Sequence, residues 1–221
     1  MTHHDLIPPL FGLVLAGGRS RRMGRDKAAL TYRDGVPHVR RTADLIGAVC
    51  ERVFVSVRPD QAVGDDAALA SLPDSVGRIP DAFDIGGPLN GILSALKAHP
   101  QAAFLVVACD LPFLSAESLA ALVAAREASR PATMFENPLR ENFLEPLCAI
   151  YEPSYAEQAG AVMIQGLTCP TKIGNALPVH RLRPVDALFL SNANTPEDYA
   201  RARAATSEPE PGGYVIGKVG R

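Results

Sequence analysis

The four cysteines of this chain, Cys50, Cys109, Cys148 and Cys169, form no C-x-x-C pair. Neither a structural zinc site nor a thioredoxin-type redox motif is therefore indicated. Cys50 and Cys109 sit among apolar residues and are expected in the core, and spacing gives no support for a disulfide between Cys148 and Cys169. No run of about eighteen apolar residues exists, so no transmembrane helix is expected. The start, MTHHDLIPPLFG, lacks a basic region followed by an apolar stretch, and the expected location is cytoplasmic, with no membrane partner. His3 and His4 in that stretch are expected to be solvated. The chain also lacks an overall positive charge, at a net −2, so nucleic acid is not an expected partner. With 47% hydrophobic and 21% charged residues over 221 positions, it reads as a globular protein of one ordinary domain.

Short apolar runs recur at LFGLVLA (10–16), RVFVSV (52–57), VGRIP (76–80), AFLVVAC (103–109) and ATMFE (132–136). Stretches with helical spacing lie between them, at 36–48, 88–98 and 116–128. Strands alternating with helices predict right-handed crossovers, and hence a three-layer α/β/α domain around a mostly parallel sheet. Ser115 reads as a plain N-cap for the helix after it, because Ser118 rather than Glu or Gln stands at the third helical position. Thr195 followed by Pro196 and Glu197 opens a last helix. The expected organisation is a leader over 1–9, a single domain over 10–205, and a flexible tail rich in proline and glycine over 206–221.

In an open parallel sheet, ligands bind beyond the carboxyl ends of the strands. Three polar clusters fall there: GGRSRRMGRDK after the first run, DAFDIGGPLNG after the third and CDLP after the fourth. The first gathers Arg19, Arg21, Arg22, Arg25 and Lys27 against a single acid, Asp26. Gly17 and Gly18 leave the backbone free to aim N–H groups at an oxyanion, and Arg22 and Lys27 add full charges. This is no P-loop, since Lys27 comes three residues after Gly24 and precedes an alanine, and it is no G-x-G-x-x-G fingerprint. On spacing alone the segment fits a solvated basic loop as well as a phosphate site.

Asp110 follows the apolar FLVVAC, at a sheet edge where an uncompensated charge is costly. Mg²⁺ takes one or two carboxylates together with phosphate oxygens and waters, which suits one aspartate beside a triphosphate. GGPLNG (86–91) gives a tight turn and then a helix whose N-terminus could face an anion. A carboxylate just before it can accept from the N1–H and amino group of guanine. Asp81 and Asp84 both qualify, and spacing does not choose between them.

LAGGRSRRMGRDKAAL, GGPLNGI, CDLPF and NANTPEDY, in this order, resemble the MobA family of molybdenum cofactor guanylyltransferases, within the wider superfamily of nucleotide-diphospho-sugar transferases. The likeness covers roughly residues 11 to 204 and implies a Rossmann-like nucleotidyltransferase fold. It implies transfer of GMP from GTP to the terminal phosphate of molybdopterin, with release of pyrophosphate and a requirement for Mg²⁺. Carried over by position, Leu15, Ala16, Gly17 and Gly18 line the nucleotide, Lys27 contacts its phosphates, Asp81 contacts the nucleotide and Asp110 holds the metal. Asn192 and Asn194 match the late N-x-N-T-P motif, on the acceptor or metal side, although Asn-Thr-Pro also serves as a helix cap. Molybdoenzyme maturation proteins are the partners the family implies.

Two departures stand out. Ser56 occupies a strand-end position where several members have asparagine, which shortens or removes one nucleotide contact. Residues 165–184 do not follow the family's arginine-rich acceptor region, although Lys172, His180, Arg181 and Arg183 offer a basic surface there. A CTP-using relative, an enzyme with another phosphate acceptor, and a non-catalytic nucleotide-binding adaptor are the alternatives.

Overall fold

The structure, a computed structural model, describes residues 7–16, 29–32, 35–62, 68–138, 140–184 and 188–206. Within them the order is β1 (Leu10–Leu15), α1 (His38–Gly47), β2 (Arg52–Val57), the single-turn α2 (Pro59–Ala62), β3 (Gly77–Pro80) and α3 (Pro88–Ala98). Then follow β4 (Ala103–Ala108), α4 (Ala116–Ala124), β5 (Ala132–Glu136), β6 (Leu144–Tyr151), α5 (Ser154–Met163), α6 (Pro170–Ala176), β7 (His180–Leu182) and α7 (Pro196–Thr206). The strands form one sheet in the order β3-β2-β1-β4-β6-β5-β7.

The sheet is central because β4 is apolar at every position and buried on both faces, as a parallel strand covered by helices must be. It pairs in parallel with β1, from Leu10 opposite Ala103 to Leu15 opposite Ala108. On one face Ala103, Leu105 and Val107 meet Val39 and Ile46 of α1 and Leu119 and Leu122 of α4. On the other, Phe104 and Val106 meet Leu89, Ile92 and Leu96 of α3 and Tyr155 of α5. These two cores are the alternate residues of the same strands, which is how the three predicted layers arise.

β6 runs antiparallel to both β4 and β5, while the β1–β2, β1–β4, β2–β3 and β5–β7 pairs are parallel. The sheet is therefore mostly parallel, as predicted. The apolar runs did not reveal β6, β7, α5 or α6. Pro146 lies inside β6, where proline argues against a central strand, and the β5–β6 register shifts between Met134 and Phe135 to accommodate the extra residues.

Two local expectations are corrected. Ser115 is part of a reciprocal capping box: its hydroxyl accepts from Ser118 N–H at 3.3 Å, and Ser118 Oγ accepts from Ser115 N–H at 3.1 Å. A serine at the third helical position is long enough to reach back, so the box does not need Glu or Gln. The helix also stops at Ala124, short of 128, as Arg126 turns to Glu152 at 2.6 Å and to the Pro8 carbonyl at 2.9 Å. Cys148 is buried, Cys169 is exposed and both are free. Cys109 is buried as expected, and Cys50 is only partly so. Among the described residues no helix is long and apolar enough to cross a membrane.

Candidate active site

The carboxyl ends of β1, β3 and β4 bring the described candidate residues to one rim. Leu15 and Ala16 are buried where β1 ends, and the Leu15 carbonyl accepts from Cys109 N–H at 3.3 Å, tying the exits of β1 and β4 together. Asp110 is the next residue and is half-buried. Its carbonyl accepts from Ala193 N–H at 2.9 Å, which brings the Asn192–Asn194 segment alongside. Asn192 is half-buried and Asn194 exposed. The Thr195 hydroxyl accepts from Asp198 N–H at 3.1 Å, and Asp198 Oδ2 accepts from the N–H groups of Asn194 and Thr195. Asn-Thr-Pro therefore serves as a cap, whatever else it does. Gly17, Gly18, Arg19, Arg21, Arg22, Arg25 and Lys27 lie outside the described residues.

Asp81 follows β3, its N–H donating to the Val57 carbonyl at 2.9 Å. Ser56 is buried and donates to Asp81 Oδ1 at 3.4 Å. Burial raises the Asp81 pKa, and the Ser56 hydrogen bond and the Arg58 charge hold it back. Ser56 thus acts on the neighbouring carboxylate instead of reaching outward, which is the physical content of the departure from asparagine. Gly91 makes the arrangement possible. A Cβ on it would lie 2.5 Å from Ser56 Oγ and 2.8 Å from Leu15 Cδ2, so only glycine lets α3 come this close to β1 and β2. Asp84, the other candidate, is exposed on the loop.

Three residues that the sequence did not single out organise the rim. Asn90, buried in the first turn of α3, accepts from Phe83 N–H at 3.2 Å and donates to the carbonyls of Phe83 at 2.6 Å and Ile85 at 3.0 Å. Ser94, one turn on, accepts from Ala82 N–H at 2.8 Å and donates to Asn90 Oδ1 at 3.1 Å. The loop from Asp81 to Gly87 is thereby laced to α3, and Gly87 at φ +80° completes the turn into it. An asparagine inside GGPLNG was the available signal, since a polar side chain in an apolar helix face must find partners.

The third is Glu145 on β6, 4% exposed and accepting from Leu147 N–H at 3.2 Å. Burial pushes its pKa up to about 7; the Leu147 amide opposes the shift and the Asp110 charge adds to it. Two acids within electrostatic reach of each other, on adjacent strand ends, are a donor set of hard oxygens that a divalent cation would relieve. Among the described residues no group of three or more His, Cys, Asp or Glu could hold a metal ion.

Further along the same rim a cavity of about 600 Å³ is lined by Glu136, Arg140, Phe143, Arg181 and Arg183 among others. Glu136 takes Arg183 at 2.8 Å and Arg181 at 3.7 Å, and the Arg140 guanidinium lies 3.9 Å from the Phe143 ring centroid. Of the four basic residues expected on the acceptor side, Arg181 and Arg183 line it and Lys172 and His180 do not.

Residues 12–170 match the family described as MobA-like NTP transferase domain. The chain belongs to this family of nucleotidyltransferases. It is 38% identical over 193 residues to a molybdenum cofactor biosynthesis bifunctional protein of Synechocystis, a match that takes in 87% of this chain and 53% of that protein. The chain thus spans about half the length of that relative. A molybdenum cofactor guanylyltransferase of Desulfosudis oleivorans is 32% identical over 202 residues, 88% of this chain and 94% of that one. Among solved structures, molybdopterin-guanine dinucleotide biosynthesis protein A of Archaeoglobus fulgidus superposes with a TM-score of 0.72 at 23% identity, covering 89% and 98% of the two chains. At that identity the likeness speaks to the MobA-like fold alone.

Proposed function

We propose that this MobA-like chain transfers the GMP moiety of GTP to the terminal phosphate of molybdopterin and releases pyrophosphate. The observation that carries the reading is the shared rim. Leu15, Ala16, Asp81 and Asp110 stand at one end of it, and a cavity with arginines on its wall stands at the other.

A phosphate monoester is already largely dianionic at neutral pH, so an acceptor oxygen attacks the α-phosphorus without a general base. A new P–O bond forms as the bond to the β-phosphate oxygen breaks, and pyrophosphate leaves with that electron pair. What remains for the protein is positioning and neutralisation of charge. Leu15 and Ala16 flank the nucleotide with Gly17 and Gly18, Asp81 accepts from guanine, and Lys27 and Arg22 meet the phosphates. Asp110 would hold Mg²⁺, which would supply positive charge to the phosphate oxygens. Arg181 and Arg183 receive the acceptor phosphate, with Asn192 and Asn194 beside Asp110.

The test is pyrophosphate release with molybdopterin-loaded acceptor, Mg²⁺, and GTP, CTP, ATP and UTP in parallel. Release with GTP alone is expected. Preference for CTP overturns the base assignment, and GTP binding without release from any nucleotide overturns the acceptor or the catalytic role.

A further inference from the structure

The wall of the arginine cavity holds more chemistry than a phosphate needs. Glu136 ends β5, and the register that sets Phe135 opposite Leu182 brings it level with Arg183. Arg183 Nε donates to Glu136 Oε2 at 2.8 Å, whereas Arg181 stands 3.7 Å from Oε1, close enough for charge and too far for a hydrogen bond. The Arg183 side chain is 79% exposed, and ion pairs this open to water exchange partners readily. A carboxylate between arginines repels an incoming phosphate, so its presence in the wall asks for a ligand that also brings hydrogen-bond donors.

The loop between β5 and β6 adds a braced flat surface. Asn137 N–H donates to the Phe143 carbonyl at 2.8 Å, Phe143 N–H to the Arg140 carbonyl at 3.1 Å and Arg140 N–H to the Asn137 carbonyl at 3.2 Å, which closes the turn. Asn142, at φ +54°, takes the left-handed conformation that asparagine tolerates. Asn175 of α6 donates to the Asn142 carbonyl at 2.7 Å and accepts from Arg181 at 3.4 Å, tying the loop to the arginines. Arg140 is exposed, and a guanidinium stacked on an aromatic ring, as Arg140 is on Phe143, offers its other face to a planar group.

We infer that this cavity takes the heterocycle of the acceptor, a pterin, with Glu136 accepting from its ring N–H and exocyclic amino group and the Arg140–Phe143 stack lying against its plane. The inference rests on the reading of molybdopterin as acceptor and deepens it. The pyrimidinone ring of a pterin presents the same pair of donors as guanine, and a carboxylate matches that pair with both oxygens. As Glu136 turns to the heterocycle, Arg181 and Arg183 pass to the phosphate at the acceptor's other end. Bare phosphate brings no donors to take Glu136, so it competes with the carboxylate for the arginines. A volume of about 600 Å³ has room for a bicyclic ring with a short phosphorylated arm.

The probe is 6-hydroxymethylpterin, which has the heterocycle and no phosphate, titrated by its own fluorescence with GTP present to fill the nucleotide end of the rim; inorganic phosphate binding is measured beside it by calorimetry. Glu136→Gln puts an amide donor against the pterin donors and is expected to weaken pterin binding roughly tenfold or more while phosphate binds as tightly as to wild type or tighter. Arg140→Ala should weaken the pterin several-fold. Pterin binding unchanged in Glu136→Gln overturns the inference, and so does loss of pterin and phosphate together, since Glu136 would then only brace the arginines. Displacement of the pterin by GTP, with loss in Asp81→Asn, also overturns it by moving the heterocycle to the nucleotide end. Pyrophosphate release separates the two levels. If wild type turns over molybdopterin and Glu136→Gln keeps its KM for it, only the inference fails. If wild type neither binds the pterin nor turns over molybdopterin, the acceptor reading fails and the inference with it.

Discussion

Replacing Asn90 with alanine tests whether the loop after β3 is a built part of the site. The substitution removes the acceptor of Phe83 N–H and the donor to two carbonyls, and takes one partner from Ser94. A neutral hydrogen bond is worth about 1 kcal/mol net. The loop carbonyls of exposed Phe83 and half-buried Ile85 recover part of the loss from water, so the cost is about 2 kcal/mol. For a domain of this size that lowers the unfolding midpoint by roughly 4–8 °C. If the same free energy is what holds Asp81–Gly87 ready for nucleotide, the KM for GTP rises by up to roughly thirtyfold, with a smaller change in kcat. Calorimetry and steady-state pyrophosphate release measure the two effects. A destabilised protein whose KM for GTP is unchanged would refute the reasoning, because the lacing would then be structural only.

Gly91→Ala forces a methyl into Ser56 Oγ and Leu15, and a loss of about 1–3 kcal/mol is expected by chemical denaturation. Ser56→Ala in the same chain should return part of it, and independence of the two changes would contradict the close approach. Burial, with the Arg41 charge, holds the His38 pKa down to about 4 from an ordinary 6.5. The unfolded chain therefore takes up a proton before the folded one does. Stability is full above about 6.5 and is lost as pH falls toward about 4, by roughly 3 kcal/mol at most. His38→Leu should flatten that slope in denaturation at pH 7 and 4.5; an unaltered slope would assign the acid loss to other groups. Lys27→Ala should lower turnover roughly a hundredfold or more with an unchanged far-ultraviolet spectrum, and near-normal turnover would remove Lys27 from the reaction.

The parallel half of the fold was legible because β1 and β4 are apolar runs without a charged residue and its helices carry a regular stripe. β1 and β4 each fall within a residue of where the runs place them, and α3 occupies the predicted 88–98. Legibility stops at β6. Its eight residues contain a charged residue and a proline, Glu145 and Pro146, which are tolerated by a shift of register that only the partner strand reveals. The same holds in the site. Asp81 and Asp110 were visible from their position after apolar runs, whereas Asn90 bonds back to Phe83 and Ile85 in a loop whose path no periodicity gives, and Glu145 meets the Asp110 charge from a strand distant in sequence. Ser56 could be recognised as a departure from the family, but its bond to Asp81 could not.

The antiparallel passage of β6 between β4 and β5 has a consequence for the chain as modular material. Because β6 reverses direction relative to both neighbours, β4 and β5 point the same way, and the cavity walled by Glu136 opens on the rim where Asp110 stands. The first four strands carry Asp81 and Asp110, and nearly all of the cavity wall comes from residues 136–184. The two halves meet along the β4–β6 pairing and the layers beside it. A chimaera joined in the connection between α4 and β5 would exchange one half while leaving the other's strands continuous. Family members with different acceptors could then be recombined at that seam, with the Arg126–Glu152 ion pair as the contact to preserve across it.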